Sequence, residues 1–151
     1  MEENLTILRE GSRVSESDVR GYSPLTLAYI GDAVYELLIR TMVVTSANAP
    51  VNKLHKKSSL LAKAPAQSAM AEALLPAFTE EELAVYKRGR KDHSYTKAKN
   101  ATTGDYRRAT GFEAVFGYLF LKGDMKRIDE LFQMAVESTK HKGQASSAGK
   151  D

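Results

Sequence analysis

Residues 23–44, SPLTLAYIGDAVYELLIRTMVV, constrain the fold more than any other stretch of the chain. Ser23 before Pro24 is a helix start: a side chain able to cap the first turn, then a residue whose missing N–H is not needed there. Leu27, Ile30, Val34, Leu37, Leu38 and Met42 recur at helical spacing, which predicts a helix over 24–45, broken by SANAP ending at Pro50. Inside this run sits Asp32, directly after Gly31. A carboxylate in an apolar helix is unfavourable unless something pairs with it. A mid-helix glycine, about 1 kcal/mol worse than alanine, marks close approach of another chain segment or a ligand. Pattern alone leaves Asp32 open between a structural and a functional acid. Glu36, four residues on, reads as a partner of Arg40 on the same helix face.

The rest of the chain continues in helices. One is predicted over about 52–62; another opens at Pro65, buries Ala69, Ala73 and Leu74, and stops near Pro76. Thr79 with Glu82 three residues later forms a capping box for a helix reaching about Arg88. The polar, basic stretch 89–104 reads as an exposed, mobile loop. A fifth helix, about 105–121, buries Phe112, Val115, Phe116, Leu119 and Phe120 and ends at Gly123. Asp124 caps a sixth, running through Ile128, Leu131 and Phe132. After Glu137 the small polar residues STKHKGQASSAGKD bury too little to order themselves. With no strand alternation and no repeats, the fold class is all-α, a helical bundle. A chain of 151 residues, 42% hydrophobic, supports one core. The expected organisation is a single domain over 1–137, its core at about 20–137, and a flexible polar tail over 138–151.

The absence of cysteine excludes disulfides, thiolate metal sites and a Cys nucleophile, and fits a reducing compartment. His55, His93 and His141 show no zinc spacing. The amino terminus, MEENLTILREG, is charged early and lacks an apolar signal core, while Glu36 and Arg40 interrupt the longest apolar run. A soluble, cytoplasmic protein without membrane contact is expected. The net charge of +3 is unevenly placed. Lys53, Lys56, Lys57 and Lys63 stand without an acid among them. Lys87, Arg88, Arg90, Lys91, Lys97, Lys99, Arg107 and Arg108 face only Asp92 and Asp105, so an anion belongs there.

Glu113, between Phe112 and Ala114 in GFEAVFGYLFL, repeats the problem of Asp32 on a second helix. Two semi-buried acids on two helices could converge on a divalent cation, which relieves their burial. They could equally be two separately paired acids. His93, in KDH, reads as a loop histidine rather than a general base, and Tyr95 and Tyr106 as packing residues.

The segments LAYIGDAVYELLIR, LHKKSSLLAKAPAQ, EEELAVYKRGRK and YRRATGFEAVFGYLFL resemble, in order and over about residues 20–137, the catalytic domain of ribonuclease III. The resemblance is nearest to the Mini-III ribonucleases, bacterial members with that domain and no double-stranded-RNA-binding domain. It implies that Asp32 is a catalytic, metal-binding aspartate and Glu113 a catalytic, metal-binding glutamate. The implied cofactor is Mg2+, with Mn2+ able to substitute. Two acids of the longer enzymes are replaced here by Ala28 and Thr110, so water, the Thr110 hydroxyl or RNA phosphate would complete the coordination sphere. The implied activity is hydrolysis of double-stranded RNA to 5' phosphate and 3' hydroxyl ends, in maturation of the 23S ribosomal RNA precursor, without a side-chain nucleophile. Implied partners are that RNA, a second copy of the chain in a twofold dimer through the first long helix, and a ribosomal-protein helper. The small Ala28, Gly31 and Ala33 would admit close contact in that dimer. A-form RNA is read through phosphates and 2'-hydroxyls. His55, Lys56, Lys57, Lys87, Arg88, Arg90, Lys97, Lys99, Arg107 and Arg108 are the expected RNA-binding residues. The competing readings are a non-catalytic helical RNA-binding module and a helical protein-interaction domain.

Overall fold

The computed structural model describes residues 16–91 and 102–148, and every regular element among them is helical. The elements are α1 (Glu16–Gly21), α2 (Pro24–Ser46), α3 (Val51–Ala62), α4 (Ala64–Leu74), a 3-10 turn (Leu75–Ala77), α5 (Glu80–Lys91), α6 (Thr103–Lys122) and α7 (Met125–Ala148). The predicted start and stop signals operate as physical caps. Ser23 Oγ accepts from the Thr26 N–H at 3.2 Å. Thr79 and Glu82 close their box reciprocally at 2.9 and 3.1 Å. Gly123 ends α6 with φ of 92°, and Asp124 accepts from the Arg127 N–H at 3.1 Å.

Helix α6 is the axis of the molecule. From Ala109 to Phe120 every residue but Glu113 is buried, so a helix apolar nearly all round is enclosed by its neighbours. It packs against α2, α5, α4, α1 and α7. On one side Phe112 and Phe116 meet Tyr35 of α2 with ring centroids 5.1 and 5.8 Å apart, and Tyr35 meets Phe132 of α7 at 6.2 Å. These offset and edge contacts each add about 1 kcal/mol beyond buried area.

Two glycines set the approach of α2 to α6. A Cβ on Gly31 would overlap the carbonyl oxygen of Glu113, and a Cβ on Gly117 would overlap that of Leu27. The backbones therefore touch at the crossing, which no side chain would permit. Gly31 thus serves a contact within one chain, not the contact between subunits that its small size suggested. The crossing of α5 with α6 repeats the device, with Gly89 against Gly111.

Three element boundaries differ from expectation. A short α1 precedes Ser23, with Val19 buried in the core. Helix α5 continues through Gly89 to Lys91, because Gly89 is held in the α6 contact and does not end the helix. Helix α7 runs to Ala148, where a tail was expected after Glu137. Its last residues contain no proline, and extending an established helix is far easier than starting one.

Candidate functional site

The Gly31–Gly117 crossing carries the two acids with it. Asp32 follows Gly31 on α2, and Glu113 lies one turn before Gly117 on α6, so backbone contact at the glycines brings both carboxyl groups to one cleft. The cleft holds about 140 Å³ and is walled by Ala62, Ala64 and Gln67 from the α3–α4 corner and by Tyr106, Ala109 and Thr110 from α6. Tyr35 donates to the Leu61 carbonyl at 2.7 Å, and Gln67 Nε2 donates to the Ala62 carbonyl at 3.1 Å, which fixes the corner against the cleft.

The two acids are not equivalent. Asp32 is exposed, not half-buried as its apolar surroundings in the sequence suggested, because the helix turns it outward at the rim. Glu113 is the half-buried one. Burial, then the charge of Asp32, a hydrogen bond shared with it and the charge of Glu36 push the Glu113 carboxyl up to about 9. Without a cation, Glu113 holds a proton at neutral pH. Glu36 itself accepts from Arg40 Nε at 3.0 Å, as its spacing indicated.

Among the described residues no group of three or more His, Cys, Asp or Glu side chains gathers. The fit to a cation therefore rests on oxygen donors of other kinds. The Thr110 hydroxyl donates to the Tyr106 carbonyl at 3.0 Å and keeps its lone pairs. The Oε1 of Gln67, in a side chain only 3% exposed, is buried without a partner. Two carboxylates, a hydroxyl and an unsatisfied amide oxygen around a cleft with room for several waters suit a hard cation that retains much of its hydration. Asp32 and Glu113 are the residues that would hold it.

The expected RNA-binding residues fall into three groups. His55, Lys56 and Lys57 are exposed on α3, and Lys87 and Arg88 on α5. Arg90 is half-buried, its guanidinium 5.7 Å from the centre of the Tyr86 ring. Arg107 is half-buried on α6. Arg108 is engaged within the protein: Nε reaches Ser68 Oγ at 2.6 Å and Glu72 at 3.5 Å, and NH2 reaches Asp105 at 3.2 Å. Lys97 and Lys99, with His93 and Tyr95, lie outside the described residues. Gln67 and Tyr106 are cleft residues that the sequence reasoning did not select. For Gln67 a signal existed, since 67, 70, 71 and 74 fall on the buried face of α4 and put an amide among apolar residues.

Comparison with known proteins gives a consistent family. The model described as the ribonuclease III domain matches residues 25–124. The Mini-ribonuclease 3 of Clostridium tetani is 44% identical over 139 residues, spanning 89% of this chain and 92% of that protein. The Mini-ribonuclease 3 of a Thermoanaerobacter species is 42% identical over 124 residues, spanning 82% and 87%. A crystal structure of a Fusobacterium nucleatum protein superimposes with a TM-score of 0.72 at 26% identity, covering 81% of this chain and 98% of the other. With the family model spanning the crossing of α2 and α6 and both acids it brings together, the chain belongs to the ribonuclease III family and is an endoribonuclease of that family.

Proposed function

We propose that this endoribonuclease cuts double-stranded RNA by magnesium-dependent phosphodiester hydrolysis at the centre formed by Asp32 and Glu113, leaving 5' phosphate and 3' hydroxyl ends. The observation that carries the reading is the convergence of these two carboxyl groups across the glycine crossing. Magnesium held there supplies a more acidic water and neutralises charge at the scissile phosphate. Asp32, at the rim, is the carboxylate an incoming backbone meets first. Glu113, at the half-buried end, is kept in place by the core helix on which it stands. No Ser, Thr or Cys nucleophile is needed. Lys56, Lys57, Lys87 and Arg88, exposed on α3 and α5, are the cations that would meet RNA phosphates, through which shape rather than base sequence is read.

Helix α2 also presents Tyr29, Leu37 and Val44 outward, with exposures of 83%, 51% and 56%. Such a stripe suits an isologous contact with a second copy of the chain, which would place two centres along one duplex. Leu37→Glu is expected to shift the protein from dimer to monomer at micromolar concentration in sedimentation velocity. An unchanged mass would remove this face as the dimer contact. The proposed substrate in the cell is the 23S ribosomal RNA precursor, which rests on the resemblance to Mini-III ribonucleases.

The test of the reaction is cleavage of one labelled RNA, as duplex and as single strand, with magnesium and with chelator. The duplex alone is expected to be cut, only with magnesium, giving 5' phosphate ends. Equal cutting of the single strand, or cutting in chelator, contradicts the proposal. Tight duplex binding with no cutting under any condition favours the RNA-binding module instead.

A further inference from the structure

Among the described residues that wall the cleft, Gln67 has the one side-chain nitrogen or oxygen, its Oε1, that is both buried and unpartnered. Its orientation is fixed by chemistry. The other end of the amide faces the Ala62 carbonyl at 3.1 Å, and only the NH2 group can donate there, so the oxygen is left on the opposite side. A buried amide oxygen without a donor is unfavourable by roughly 1–3 kcal/mol, and such atoms call for an explanation. Packing does not supply one, because a leucine would fill a similar space on the same face of α4 as Met70, Ala71 and Leu74.

The occupant of that position must be a donor. A phosphate oxygen is excluded, since it offers only lone pairs. A water on a divalent cation fits well, because its lone pair is taken by the metal and both of its hydrogens point outward. The composition of the cleft makes such waters numerous: among the described residues two carboxyl groups are all the acid that walls it, so most positions around a six-coordinate cation fall to water. We propose that Gln67 is a positioning residue of the centre, its Oε1 accepting a hydrogen bond from a water of the hydrated cation held by Asp32 and Glu113. The amide then does for the hydration shell what further carboxylates would do for the ion itself. It orients the shell without adding charge, and its own orientation is locked by the Ala62 carbonyl.

This inference rests on the cation reading of the centre, and the experiment separates the two. Magnesium affinity is measured from the rise in melting temperature on titration, without RNA, for the parent, Gln67→Leu, Gln67→Met, Gln67→Glu and Asp32→Asn. Melting in chelator establishes which variants fold. Gln67→Leu and Gln67→Met lack the acceptor and are expected to bind magnesium roughly tenfold more weakly, the scale of losing a residue that orients a metal's ligands. Gln67→Glu keeps an acceptor while losing the amide donor to Ala62, and is expected to hold magnesium at least as well as the parent. Parental affinity in both apolar variants overturns the proposal. Equal weakening in the apolar variants and in Gln67→Glu overturns it too, since the Ala62 bond would then be what matters. Loss of duplex affinity alone, with magnesium affinity unchanged, overturns it in favour of an RNA 2'-hydroxyl as donor. If Asp32→Asn also binds magnesium as the parent does, the cation centre itself is misplaced.

Discussion

Glu113→Gln is expected to cut duplex RNA on the order of 10³-fold more slowly than the parent, the scale of losing one preorganised electrostatic element of a site. In chelator, however, it is expected to be the more stable of the two. The opposite signs have one cause. The Glu113 carboxyl is held at about 9, above its ordinary 4.5, by burial first and by Asp32 second. Between these values the folded chain keeps a proton that the unfolded chain has released. The stabilising contribution of that proton is present in full below about 4.5 and is lost as pH rises towards 9. Glutamine carries no such term. Allowing for the partial exposure of the group, the difference should reach on the order of 2 kcal/mol near pH 8, or roughly 4–8 °C in Tm, and vanish near pH 4. Thermal melts of both proteins in chelator across this range give the result. Parallel pH dependences contradict the placement of Glu113 in a cation-free, half-buried site.

The second large effect is on stability. Gly31→Ala adds one methyl group where the Glu113 carbonyl oxygen already lies, so α2 and α6 must separate. Because the obstacle is backbone and not the end of a flexible side chain, the cost should lie at the upper end for overpacking, about 3 kcal/mol, or roughly 6–12 °C in Tm. Gly21→Ala, at a position with open space around it, is the control and should stay within about 0.5 kcal/mol of the parent. Activity of Gly31→Ala should fall beyond what its folded fraction explains, because the same separation parts Asp32 from Glu113. Equal melting of the two alanine variants contradicts the crossing as described.

Much of this was legible in the chain. Caps are local chemistry, so Ser23, the Thr79 and Glu82 pair, Gly123 and Asp124 announced the helix boundaries that they form. The two acids stood out because each interrupts an apolar helix. What stayed hidden depends on which segments meet. The sequence indicated that something approaches Gly31 closely, but the candidates included another subunit, and only the fold identifies the α6 backbone. The exposure of Asp32 is a matter of helix rotation against α6, which spacing does not give to within a residue. Arg108 looked like its basic neighbours, and two of the groups that engage it, Ser68 and Glu72, lie forty and thirty-six residues away. Gln67 could have been found as an amide on an apolar face, yet its place beside the acids is a tertiary fact.

Single-turnover cleavage of a labelled RNA duplex by Asp32→Asn, with duplex affinity measured on the same preparation, tests the central claim most directly. The substitution keeps the shape of an exposed side chain and removes its charge. Loss of magnesium-dependent cutting, with duplex affinity within a few-fold of the parent and an unchanged fold, is the expected result. Cutting at the parental rate would contradict the assignment of the chemistry to the meeting of α2 and α6.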